Sequence, residues 1–217
     1  MAIELNIAGD FATILDGWEP ITVMRRGSAE AIPVPRAWRF AARSEPAETG
    51  IADVARHDIT WQFPWNDVID QPRIGDKIID AADACWTILS VIEHAAKSRL
   101  RCIARNLYLV HQIDSRIDIQ AAIWEDSGSG PEIVGWTLLQ SAVPARIQAD
   151  RVSVDHATTP PTSTAKYRVI LGEQIALDHN HRVIGPDGTV YQILEFTQAD
   201  RIDTLPVATV IKQVVES

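Results

Sequence analysis

Residues 182–196, RVIGPDGTVYQILEF, alternate apolar and polar side chains around a turn. Residues 77–91, KIIDAADACWTILSV, carry the same frame. Alternation with a period of two marks strands that bury one face. At an offset of 105, Lys77-Ile78-Ile79 lies under Arg182-Val183-Ile184, Trp86 under Tyr191, Ile88 under Ile193 and Val91 under Phe196. The turn matches less well, with Ala82 under Asp187 and Asp83 under Gly188. Continued without a gap, the offset puts Leu100 under Leu205 and Cys102 under Val207. Upstream, with small gaps, Ile59, Trp61 and Phe63 match Tyr167, Val169 and Leu171; Val34-Pro35 matches Val143-Pro144; Gly17-Trp18 matches Gly135-Trp136. Features recurring in one order point to a duplicated unit rather than to chance likeness of hairpins.

The duplication predicts an all-β chain of two tandem, similar small domains, each a β-barrel or β-sandwich with long polar loops. The first covers residues 1–113 and the second 114–217. Each holds roughly a hundred residues, enough for one small core. The boundary falls in the polar stretch HQIDSRID (111–118), too short for a flexible tether, so close packing of the two domains is expected. DITWQF (58–63), KYRVIL (166–171) and TVYQILEF (189–196) read as strands, and ACWTILSVIE (84–93) with SRLRCIARNLYLV (98–110) as a long hairpin. Helical periodicity is weak; ADVARHD (52–58) has room for one short turn.

Each unit opens with a Val-Pro strand, followed by a polar, Pro-bearing loop: residues 43–57 and residues 155–165. Such loops cannot build core and commonly carry function on a rigid scaffold. The residues singled out there are Arg43, Glu45, Glu48, Asp53 and His57 in the first loop, and Asp155, His156, Thr159, Pro160 and Thr162, with Lys166 just beyond, in the second.

Catalytic signatures are missing. There is no Gly-x-Ser-x-Gly, phosphate-cradling Gly-x-x-x-x-Gly-Lys, Gly-x-Gly-x-x-Gly or Cys-x-x-Cys. Asp67, Asp70, Asp76, Asp80 and Asp83 cluster between strands, where turn chemistry accounts for them. His179 and His181 would face the same way on a strand and could chelate, with Asp178, Asp155 and His156 as further donors. Their counterparts in the first unit are Ile74 and Asp76, so the histidines are not part of the shared plan, and exposed histidines are the favoured reading. No catalytic residue, metal or cofactor is expected.

The two cysteines, Cys85 and Cys102, sit in apolar runs and read as buried thiols rather than a disulfide framework. A net charge of −9 disfavours sequence-specific nucleic-acid binding. No apolar run is long enough to span a bilayer, and the N-terminal residues lack a basic start, so synthesis and use or assembly in cytoplasm are expected. Of the seven tryptophans, core packing is the default; Trp65, after the strand-breaking Pro64, is the candidate exposed contact.

The plan of residues 143–149, 167–171 and 182–193, with Arg182-Val183, Gly188, Tyr191 and Ile193, resembles the head-closure or head–tail joining proteins of tailed bacteriophages. The likeness covers residues 140–213 best and residues 30–110 more loosely; a tandem pair departs from the single domain usual in that family. The resemblance implies a non-enzymatic ring protein of the virion neck, assembled in the host cytoplasm at the head–tail junction. It would sit between the portal or adaptor protein and the tail terminator or tail tube. Its polar loops would face a channel through which double-stranded DNA passes without sequence-specific binding, and no membrane partner is implied. Because portals are usually twelve-fold and tails six-fold, two similar domains per chain favour a homo-oligomer of six chains showing twelve domains, with twelve chains as the other arrangement. Two alternatives stand beside it: a two-domain β-sandwich binding module for carbohydrate or protein, and a metal-dependent hydrolase centred on His179 and His181.

Overall fold

The computed structural model describes residues 17–28, 30–41, 58–65, 71–94, 97–155 and 162–213. The chain divides into two compact units, Met1–Val110 and His111–Ser217, where the sequence placed the division between 113 and 114. Among the described residues twelve strands run in chain order: β1 Glu19–Met24, β2 Ala31–Ala41, β3 Asp58–Pro64, β4 Lys77–Ile79, β5 Cys85–Glu93, β6 Arg99–Arg105, β7 Ser115–Asp126, β8 Pro131–Asp155, β9 Thr162–Leu171, β10 His181–Ile184, β11 Val190–Thr197 and β12 Val207–Lys212. One short helix, α1 Leu107–His111, lies between β6 and β7.

Both units are closed barrels of six antiparallel strands. The first has the order β1-β2-β3-β6-β5-β4, and the second β7-β8-β9-β12-β11-β10, the same circuit strand for strand. Closure of each sheet decides between the barrel and sandwich expectations. In the first barrel β4 closes on β1 through Val23↔Ile78, and in the second β10 closes on β7 through Ile119↔Val183. These four side chains are at most 1% exposed.

The registers bear out most of the alignment. Ile78 faces Trp86 and Val183 faces Tyr191 across the hairpin. The turns agree in backbone as well, despite their different residues. Asp83 N–H donates to Asp80 O (3.0 Å) and Gly188 N–H to Gly185 O (3.0 Å), while Asp80 N–H reaches Ala84 O (3.1 Å) and Gly185 N–H reaches Thr189 O (2.8 Å). Asp83 and Gly188 both take the left-handed conformation, φ 60° and 78°. This is a turn closed by a left-handed residue, a frequent hairpin solution. Each following strand then bulges at the same place, between Ile88 and Ser90 and between Ile193 and Glu195, which leaves Leu89 and Leu194 as the extra residues.

Two parts of the alignment are corrected. Trp61 pairs with Cys102 and Val169 with Ala208, so Cys102 corresponds to Ala208 and not to Val207. A slip of one residue turns a strand's faces over, and only Ala208, wholly buried like Cys102, faces a core. Gly17-Trp18 precedes β1, whereas Gly135-Trp136 lies within β8 and pairs with β7. The reading of residues 98–110 as one strand is also corrected. Asn106 accepts the N–H of Leu109 through Oδ1 (3.0 Å) and caps α1, ending β6 at Arg105. The polar stretch 111–118 is not all linker, since β7 begins at Ser115 and buries Ile117.

Each barrel has its own core. Trp61, Phe63, Ile78, Ile88, Leu100 and Cys102 fill the first, and Ile117, Ile119, Val169, Leu171, Val183 and Ile193 the second. The carboxylate of Asp80 secures the first barrel's turn. It accepts the N–H groups of Ala82 and Ala84 (both 2.9 Å), the Trp86 indole N–H (3.0 Å) and Arg39 (2.9 Å). Burial raises its pKa, but these donors outweigh burial and hold it below the ordinary value of 3.8. The stability it contributes is therefore present above that value and is lost as pH falls through the folded-state pKa. The urea midpoint of Asp80→Asn should lie well below that of wild type at neutral pH, on the order of 2–3 kcal/mol for a charged network. The gap should narrow on acidification below about pH 4.

Burial, with the nearby Asp76 charge as the smaller cause, pushes the Cys102 thiol up to about 12. The thiolate is the reactive form, so Cys102 should resist iodoacetamide at about pH 8 until the first barrel unfolds. Alkylation followed along a urea titration and located by mass spectrometry checks this.

Candidate interaction surface

Among the described residues no three His, Cys, Asp or Glu side chains come together as a metal site. His179 lies in the turn before β10 rather than on the strand, so strand alternation does not pair it with His181. His179 Nδ1 is 3.3 Å from Ile193 O, and His181 Nδ1 is 2.6 Å from Asp178 Oδ1. Burial raises the Asp178 pKa, but the Asn180 N–H and His181 together hold it below the ordinary carboxylate value. His181 occupies the position that Asp76 holds in the first barrel. There Asp76 forms a buried ion pair with Arg25 (2.7 Å) and accepts the N–H groups of Arg26 (3.0 Å) and Arg73 (2.8 Å). The second barrel places Ala121 opposite His181, and Arg25 has no counterpart there. The histidines thus form a local turn structure that replaces an ion pair.

Most of the loop residues singled out from sequence, Arg43, Glu45, Glu48, Asp53, His57, His156, Thr159 and Pro160, lie outside the described residues. Asp155 and Thr162 are paired with each other at the ends of β8 and β9. Residues 162–165 pair with 152–155, so the second loop is shorter than the expected 155–165. Lys166 is exposed on β9, paired with Ile211. Trp65 does not stand out in solvent. Its N–H donates to Ser98 O (3.3 Å), its ring packs against the first core, and Lys97 Nζ sits 5.5 Å from the ring centroid. Pro64 ends β3, but Trp65 stays held against the barrel.

Among the described residues the exposed aromatic is Trp124, on a feature that the described part of the first unit lacks. In the first barrel β1 and β2 are joined at Met24↔Ala31 by a short turn. In the second, β7 and β8 continue past the last β10 pair, His181↔Ala121, out to Asp126↔Pro131. The result is a two-stranded arm turned by Ser127-Gly128-Ser129-Gly130, with Asp126 Oδ1 accepting the Gly128 N–H (3.0 Å). Directly opposed residues share a face. One face therefore carries Gln120 and Leu138, Ala122 and Trp136, then Trp124 and Ile133. At its base Arg182 donates to Gln120 Oε1 (2.7 Å) and stacks 4.3 Å from the Trp136 ring centroid.

Trp124 is 47%, Ile133 43% and Leu138 55% exposed, and the bulged Val134 and Leu139 add further apolar surface. Isolated exposed apolar residues are ordinary, but a contiguous patch on a projecting ribbon marks a contact site. At the tip Glu125 lies directly opposite Glu132, with Asp126 beside it. Like charges opposed across a ladder destabilise it. The sequence reading missed the arm, although SGSGP between AAIWED and EIVGWTLL carries its turn and both strands. No family model, curated protein or solved structure matches this chain.

Because Trp124 touches no core cluster, Trp124→Ser should shift unfolding free energy by less than about 0.5 kcal/mol. It should also remove the component of tryptophan fluorescence most readily quenched by acrylamide. A cooperative loss of stability would place Trp124 in a packed interior.

Proposed function

We propose that this chain is a non-enzymatic assembly protein of the tailed-phage neck, acting as a homo-oligomeric ring between the portal or adaptor and the tail. The observation that carries the reading is the exposed apolar arm on an otherwise closed barrel. Closed barrels leave no sheet edge for partners to extend, so contacts must come from projecting ribbons and outer walls. The motif residues behind the family likeness serve in the second core: Val143, Val169, Val183, Tyr191 and Ile193 are all buried. The net charge of −9 suits a conduit, because weak attraction lets DNA slide where a basic lining would hold it.

The test is the mass of the purified chain by light scattering, together with negative-stain imaging of phage necks labelled against it. The expected result is a ring at the head–tail junction, with six chains displaying twelve barrels. A twelve-chain ring keeps the neck reading and removes the symmetry argument. A stable monomer absent from the junction overturns the reading. Trp124 and Trp136 on one face would then favour a carbohydrate- or protein-binding module, to be tested by a ligand screen.

A further inference from the structure

The first barrel carries a surface complementary to the arm. On its outer wall Gln62, Arg101 and Ile92 form one cross-strand row over β3, β6 and β5. With Glu93, His94 and Arg99 they line an open groove of about 230 Å³. This falls below the ~300–1,000 Å³ of most small-molecule sites and suits a single large side chain. Ile92 is 44% exposed and gives the groove an apolar floor. Arg99 and Arg101 outweigh the single carboxylate of Glu93, which makes a basic groove on an acidic chain. Arg101 Nε has no hydrogen-bond partner among the described residues, although the guanidinium rests 6.0 Å from the Phe40 ring centroid.

We infer that the arm of one copy docks in the Gln62–Arg101–Ile92 groove of a second copy, with Trp124 and Ile133 against Ile92 and the Asp126 carboxylate, on the same face of the ribbon, against Arg99 and Arg101. The inference rests on the ring reading above. Charge decides the occupant. Two arms meeting each other would bring six carboxylates together, while the groove offers cations and an apolar floor. Arm and groove lie in different units, so identical copies joined in this way run head to tail and close into a ring when the rotation divides the circle.

The experiment uses the full chain and two classes of variant. The arm variant is Trp124→Ser with Ile133→Lys, both on the docking face and both exposed. The groove variant is Arg101→Glu, with Ile92→Asp as a second version because Ile92 is exposed and its change spares the core. Circular dichroism and thermal melts check folding. Sedimentation velocity should show that wild type assembles, more weakly as salt rises. Each variant alone should need at least about tenfold more protein to assemble. An arm variant mixed with a groove variant keeps one intact arm and one intact groove, and should give a heterodimer and nothing larger. Variants that assemble like wild type, or a mixture that yields no heterodimer, overturn the docking while leaving the ring reading intact. A wild type that stays monomeric at every concentration also overturns docking between copies, and the neck reading is then decided separately by where the label sits on the particle.

Discussion

Each barrel depends on one short contact, the pairing of a three- or four-residue strand with the first strand of its unit. β4 and β10 are the shortest strands of their sheets, yet they join the ends of the circuit. Without them β1 and β5, or β7 and β11, would expose ladders of unpaired N–H and C=O groups. They hold because each carries a wholly buried residue, Ile78 or Val183, set against a buried residue on both neighbours. The tight turn after each short strand supports the same contact, since it fixes the register in which Ile78 meets Trp86 and Val183 meets Tyr191.

The two barrels reach the same backbone by different chemistry. At the hairpin the first uses a buried carboxylate, Asp80, to gather two backbone N–H groups, an indole and an arginine. The second uses glycine at that position, and Asp187 accepts the N–H and hydroxyl of Thr189. Before the short strand the first barrel buries the Arg25–Asp76 pair, where the second sets Ala121 against His181. Removing one partner of a buried ion pair is costly, so the first barrel is tied to Arg25 and Asp76 staying together where the second relies on turn geometry. The second barrel's additional investment is the arm, which contributes contact surface rather than core.

Much of the fold was legible in the sequence because a period of two survives substitution. Ile59, Trp61 and Phe63 share no identity with Tyr167, Val169 and Leu171, yet both sets point inward on the same strand. The offset failed past the β5–β6 link because the two links differ by one residue, and alternation alone cannot show which side of a link the difference falls on. The arm was missed because register shifts at Ile117 and Ile119 break the alternation in the barrel wall just before it, and a further shift between Ile123 and Trp124 breaks it within the projecting stretch. So was α1, too short for a helical period and announced only by Asn106. Trp65 misled for a local reason: Pro64 does end its strand, but the N–H of the next residue still reaches Ser98.

The bulges at Leu89 and Leu194 restrict how the two copies could have diverged. Each extra residue lets side chains three apart, Ile88 and Val91 or Ile193 and Phe196, face the same core, which a regular strand cannot do. A single deletion elsewhere in these strands reverses every face that follows, whereas a substitution that keeps polarity does not. The strands can therefore drift freely in identity while their lengths stay locked, and gain or loss of residues is confined to the connections. A unit built on this plan acquires new surface by lengthening a hairpin between fixed strands, and the distance from Met24 to Ala31 set beside that from Gln120 to Leu138 records one such extension.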